Sequence, residues 1–191
     1  MNTKIITSTA IGAMIFLSNC AKETTDPQTA FMSNLNALCG KSFAGKLVST
    51  DEVDKDFASK TMVMNVRDCS ENEIRIPFHV DENRSRTWIL SKTETGLRLK
   101  HRHNHEDGHA DAVTMYGGDT ANSGTVTRQT FPVDQYSKDM FVKNGLEVSV
   151  TNIWAVEITP TIYAYELRRE GRHFRVEFDL SKEIETPPAP W

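Results

Sequence analysis

Apolar side chains recur at every second position along most of this chain. From residue 43 onward the runs include Met62, Met64 and Val66, then Ile74, Ile76, Phe78 and Val80, then Trp88 with Leu90 and Leu97 with Leu99. They resume with Val148, Val150, Trp154, Val156 and Ile158, followed by Tyr163, Tyr165 and Leu167, and by Phe174, Val176, Phe178 and Leu180. Successive side chains of a strand point to opposite faces, so this period builds strands with one buried and one wet face. Such strands belong to antiparallel sheets. About ten are predicted, at 43–49, 61–69, 73–80, 85–93, 97–105, 111–116, 124–132, 146–158, 161–168 and 172–180. The connections are short, with turns at Asp81 to Arg84, Thr93 to Gly96 and Arg169 to Arg172, which favours an up-and-down meander. The expected fold is all-β, an antiparallel meander β-barrel, with a β-sandwich as the alternative.

Two helices interrupt the pattern. Asp26-Pro27 reads as an N-cap followed by proline in the first turn. Phe31, Leu35 and Leu38 then fall on one helical face, and Gly40 supplies the stop. Asp134 is placed to cap a short inserted helix that ends at Asn144-Gly145, with Tyr136, Met140 and Phe141 partly inward. No repeat or linker divides residues 27–185, so they form a single domain. Residues 186–191, TPPAPW, read as a flexible proline-rich tail. Meander strands with two short helices resemble the lipocalin (calycin) layout, without that family's G-x-W signature near the first strand. The mature part is also similar to exported bacterial proteins, a resemblance that implies no activity.

The first twenty residues read as an address. Lys4 gives a positive start, and Ile11 to Leu17 is an apolar stretch too short for a permanent membrane span. Leu17-Ser18-Asn19-Cys20 resembles the lipobox of bacterial lipoproteins, with Asn19 where that family has Gly, Ala or Ser. The resemblance implies a signal peptide at 1–19, lipid on Cys20 and a tether at 20–26. Ala21 follows the cysteine where an inner-membrane retention Asp would stand, which implies an outer-membrane anchor facing the periplasm. Export leaves Cys39 and Cys69 as a pair in an oxidising compartment; the alternative is two separate buried thiols. Lys and Arg number 22 against 26 Asp and Glu, for a net charge of −4 with no basic stripe. Nucleic acid is therefore not an expected partner.

Four of the six histidines lie in KHRHNHEDGHAD: His101, His103, His105 and His109. A three-residue loop, Glu106-Asp107-Gly108 with Gly108 left-handed, would pair His105 with His109, His103 with Asp111, His101 with Val113 and Leu99 with Met115. His103, His105, His109 and Asp111 then become neighbours, a donor set suited to Zn, Cu or Ni. The competing reading is a solvated hairpin tip, with His101 in the core.

Barrels of this size hold small ligands. Alternation places Arg86 beside Trp88, Asn152 between Val150 and Trp154, and Arg128 beside Val126, so these five polar and aromatic positions, Arg86, Trp88, Arg128, Asn152 and Trp154, form the candidate cavity. An inward arginine could hold a carboxylate or phosphate; equally it could pair with Asp68 or Glu157. No CxxCH, HExxH, P-loop or GxSxG motif is present. The resulting expectation is a non-catalytic cell-envelope lipoprotein that binds a small ligand or scaffolds an envelope partner. A periplasmic transition-metal binder and an enzyme with a barrel cavity are the alternatives.

Overall fold

One antiparallel sheet makes up most of the computed structural model, which describes Met1 and residues 25–191. The expected signal peptide and Cys20 lie outside the described residues. The strands are β1 (Ser42–Leu47), β2 (Met62–Asn65), β3 (Asp68–Cys69), β4 (Glu73–Val80), β5 (Asn83–Thr93), β6 (Gly96–His103), β7 (Tyr116–Asp119), β8 (Arg128–Pro132), β9 (Ile153–Ile158), β10 (Ile162–Arg169) and β11 (Arg172–Ile184). Their spatial order is β7-β6-β5-β4-β2-β1-β11-β10-β9-β8, with β3 paired to β4 beside that path. The meander thus closes between its first and last strands, and the remaining gap falls in mid-chain between β7 and β8.

That gap is a seam. The Asp134 N–H donates to the Gly117 carbonyl at 2.9 Å. A Cβ on Gly118 would stand 1.7 Å from the Pro132 carbonyl oxygen, so only glycine lets the two edges approach. Pro132 itself offers no N–H to the gap. The barrel is nearly closed, with one backbone hydrogen bond in place of a ladder.

The inward faces carry the alternating apolar residues, among them Met64, Ile76, Leu99, Val156, Val176 and Phe178, all essentially without solvent contact. Helix α1 (Pro27–Asn36) starts as the sequence requires: the Asp26 carboxylate accepts from the Thr29 N–H at 2.8 Å. Its buried Phe31, Met32 and Leu35 plug one end of the barrel. Gln28 holds that plug by donating to Thr120 Oγ1 at 2.9 Å. Just beyond the helix, Cys39 is disulfide-bonded to Cys69 on β3.

The other end is open. It is bordered by the start of β5, the end of β6, the start of β11 and a 3-10 helix at Glu52–Ser59, which had no counterpart in the sequence reading. Helix α2 (Gln135–Lys143) also lies toward this end, capped by the Asp134 carboxylate on the Ser137 N–H at 2.8 Å. Its Phe141 is buried and Met140 half-buried, but Tyr136 is 57% exposed, against expectation.

Two further expectations fail here. Residues 146–151 are not strand: Glu147–Thr151 forms a second 3-10 helix before β9. The proline-rich tail is docked rather than loose. It returns from the plugged end toward the open one, where the Trp191 N–H donates to the Arg84 carbonyl at 3.2 Å and Asn104 Nδ2 donates to the Trp191 carbonyl at 3.0 Å. Arg84 donates to the Ala189 carbonyl at 3.0 Å and lies over the Trp191 ring, 5.8 Å from its centroid.

Candidate functional site

The open end holds a cavity of about 220 Å³. Register explains who lines it. Phe78 pairs with Arg86 across β4 and β5, and Arg86 pairs with His103 across β5 and β6. One step deeper, Ile76, Trp88 and His101 repeat the same face. Tyr116 opens β7 opposite His101, and Tyr165 and Phe174 enter from β10 and β11. Phe57 and Asp54 of the 3-10 helix complete the rim.

The wall is aromatic. The Trp88 ring stacks on Tyr165 at 4.5 Å and on Phe78 at 4.7 Å between centroids. His101 stacks on Tyr116 at 4.6 Å. Its Nδ1 lies 3.1 Å from the Tyr116 carbonyl oxygen and its Nε2 lies 2.8 Å from the Tyr165 hydroxyl. A carbonyl only accepts, so Nδ1 carries the proton and Nε2 accepts from Tyr165. Burial pushes the His101 pKa down to about 3, so the ring is neutral. His103 is likewise pushed down to about 4, by burial first and then by the Arg86 charge, and its Nε2 meets the Tyr116 hydroxyl at 3.0 Å. Burial raises that hydroxyl to about 12.

The two cations at the cavity differ. Arg172 is neutralised in place, giving hydrogen bonds of 2.5 and 2.7 Å to Asp54 and one of 3.1 Å to Asp51. Arg86 donates to Asn83 Oδ1 at 3.1 Å and makes no ion pair with any carboxylate among the described residues. Burial lowers its pKa, which marks a cation partly stripped of water.

Of the five residues expected at a cavity, the structure brings Arg86 and Trp88 to it. Trp154 is fully buried next to His101, with centroids 5.1 Å apart, and is core rather than lining. Arg128 and Asn152 are elsewhere. Arg128 points outward and pairs with Glu157 at 3.1 Å and Glu166 at 2.8 Å. Its phase had been counted from Val126, which lies ahead of the strand and is 46% exposed; the inward residues of β8 are Gln129 and Phe131. Asn152 caps the second 3-10 helix and accepts from Arg169 at 3.1 Å. Glu166, unnoticed in the sequence, is 3% exposed on the outer face and held by Arg128, Arg168 and Arg175. Those guanidinium groups override its burial and hold its pKa near 2.

The histidine hairpin has the expected tip. The His105 N–H donates to the His109 carbonyl at 2.8 Å, the Asp111 N–H to the His103 carbonyl at 3.0 Å, and Gly108 is left-handed at φ 85°. Below the tip the register slips by three positions: His101 opposes Tyr116, not Val113, and Leu99 opposes Gly118, not Met115. Residues 112–115 loop out, with Met115 at φ 57° and Thr114 Oγ1 accepting from the His103 N–H at 2.8 Å. The four expected ligands do not converge. His103 turns into the cavity, His109 reaches Asp107 at 3.2 Å, and His105 stands 3.9 Å from Asp111. Among the described residues, no three His, Cys, Asp or Glu side chains gather around one point.

Sequence reasoning missed Tyr116, Tyr165, Phe174, Asp54 and Arg172 as cavity residues. Tyr165 and Phe174 were visible in the period-two pattern as inward positions. Nothing local marks Asp54 or Arg172, which meet only in the folded chain. Comparison of the chain with family models, with curated proteins and with solved structures finds no match in any of the three.

Proposed function

We propose that this chain is an exported, lipid-anchored barrel of the bacterial cell envelope that binds a small ligand in its open end and does no chemistry on it. The observation that carries the reading is the cavity itself: an aromatic wall around a half-buried arginine that lacks a carboxylate partner. A few convergent polar groups in an apolar concavity are the usual form of a small-molecule site. Two of the groups that could serve acid–base catalysis are held in structural hydrogen bonds. Both nitrogens of His101 are engaged, and both carboxylate oxygens of Asp54 are engaged by Arg172.

The lipobox-like Leu17-Ser18-Asn19-Cys20 supports the anchor, and the position of α1 supports its orientation. A tether entering at Asp26 reaches the plugged end of the barrel, so an anchored molecule would turn its cavity away from the lipid. The test has two arms. Replacing Cys20 with Ser should move the chain from the membrane fraction to the soluble periplasmic fraction; retention in the membrane would refute the anchor. Native mass spectrometry of the full chain, purified in mild detergent, should show a small-molecule adduct that Trp88→Ala abolishes. An adduct unaffected by Trp88→Ala would place binding outside this cavity.

A further inference from the structure

We infer that the open-end cavity takes a small organic monoanion, a carboxylate on a single-ring or short apolar body, and that Arg86 reads its charge. The inference rests on the ligand-binding reading above and adds the chemical class.

Charge balance is the first argument. Arg172, the other cation lining the cavity, has carboxylate partners. Arg86 faces inward on β5 between Phe78 and His103 and has only the neutral Asn83 amide. Of the other lining groups, His101, His103, Tyr116 and Tyr165 are neutral, and Arg172 is held by the Asp54 and Asp51 carboxylates. Among the described residues, Arg86 is therefore the one cation lining the cavity that lacks a carboxylate partner. A partly desolvated cation without a partner is costly, and a single negative charge relieves that cost.

Geometry narrows the anion. A guanidinium presents parallel N–H donors that match the two oxygens of a carboxylate. His103, the cross-strand partner of Arg86, and Tyr116 leave one further donor in the lining whichever way their hydrogen bond runs. If the Tyr116 O–H donates to Nε2, the proton of the neutral ring sits on Nδ1; if Nε2–H donates to the tyrosine oxygen, the O–H is left to donate. A phosphate group, with about two negative charges and three strong acceptor oxygens, exceeds this supply. The remaining wall, Phe57, Leu167, Phe174 and the edge of the Trp88 stack, asks for an apolar body. At about 220 Å³ the space is below the roughly 300–1,000 Å³ of drug-sized sites, which limits that body to about one ring.

Three probes of one shape and different charge test this on the full chain: benzoate, benzyl alcohol and benzylamine, followed by NMR of the Trp88 indole and His103 ring signals. Benzoate should shift both saturably and bind at least tenfold more tightly than the other two. Arg86→Gln should weaken benzoate at least tenfold while leaving the thermal midpoint within a few degrees. If the neutral or cationic ring moves the same signals with equal or better affinity, or if Arg86→Gln leaves benzoate unchanged, the anion assignment is overturned and the ligand-binding reading stands. If no probe moves either signal at millimolar concentration, both fall. Should Arg86→Gln not fold, Arg86→Met keeps the apolar stem, and the comparison of probes on the unsubstituted chain still decides the preference for charge.

Discussion

His101 makes the barrel acid-sensitive well above the range where carboxylates titrate. Its folded pKa is about 3 against an ordinary value of 6.5. The unfolded chain therefore takes up a proton near pH 6.5 that the folded chain refuses until about pH 3. Stability from this residue is complete above pH 6.5 and is lost progressively as the pH falls through 6.5 toward 3. Between pH 7.5 and 5.0 the loss works out at about 2 kcal/mol, taking 1.36 kcal/mol per tenfold change in the protonation ratio. The carboxylates contribute little in that window, because a group such as Glu166, held near 2 when folded, begins to lose its contribution only as the unfolded chain protonates near pH 4.5. The discriminating variant is His101→Gln, which cannot titrate. It should be less stable at pH 7.5 by roughly 1–3 kcal/mol, because the amide does not reproduce the ring's two hydrogen bonds and its stacking on Tyr116. It should then lose about 2 kcal/mol less than the parent on going to pH 5.0. Urea unfolding at pH 7.5, 6.5 and 5.0, followed by tryptophan fluorescence, gives both curves. Curves that fall in parallel, to within about 0.5 kcal/mol, would refute the claim that His101 is buried neutral.

Two further perturbations address the frame. Replacing Cys39 and Cys69 with Ser opens a loop with a separation of 30 residues; the chain-entropy model gives a cost of roughly 3–4 kcal/mol. Urea midpoints with and without reductant should show this loss in the parent and none in the double variant. Gly118→Ala forces the Cβ against the Pro132 carbonyl and should cost about 1–3 kcal/mol, as overpacking does. A thermal melt unchanged to within 1 °C would show that the seam does not depend on the close approach.

The legible parts of this fold were those in which local chemistry and tertiary packing agree. The alternation over Ile74–Val80 gave β4 with its observed ends, and Asp26-Pro27 gave the start of α1. The three-residue tip at Glu106–Gly108 followed from matching apolar faces across the hairpin, and its hydrogen bonds are the ones expected. The misses share a cause. Period two reports the buried face only while the strand is unbroken and its first residue is known. The 3-10 turn before Asn152, the late start of β8 at Arg128 and the loop at 112–115 each reset the count, so a residue of the right parity landed on the wrong side. The site suffered most, because cavity residues sit at strand ends, where such resets occur. Arg86 and Trp88 survived because β5 runs without a break from Asn83 to Thr93.

An edge strand normally offers its unpaired backbone to whatever chain comes next, and long flat edges seed aggregates. Here the two edges, β7 and β8, are four and five residues long and face each other across the Gly118–Pro132 approach. A neighbouring molecule would have to part the seam before it could add a strand. The narrow gap in the middle of the chain thus leaves little free edge for strand addition, and the glycine that permits it shields backbone as well as joining the wall.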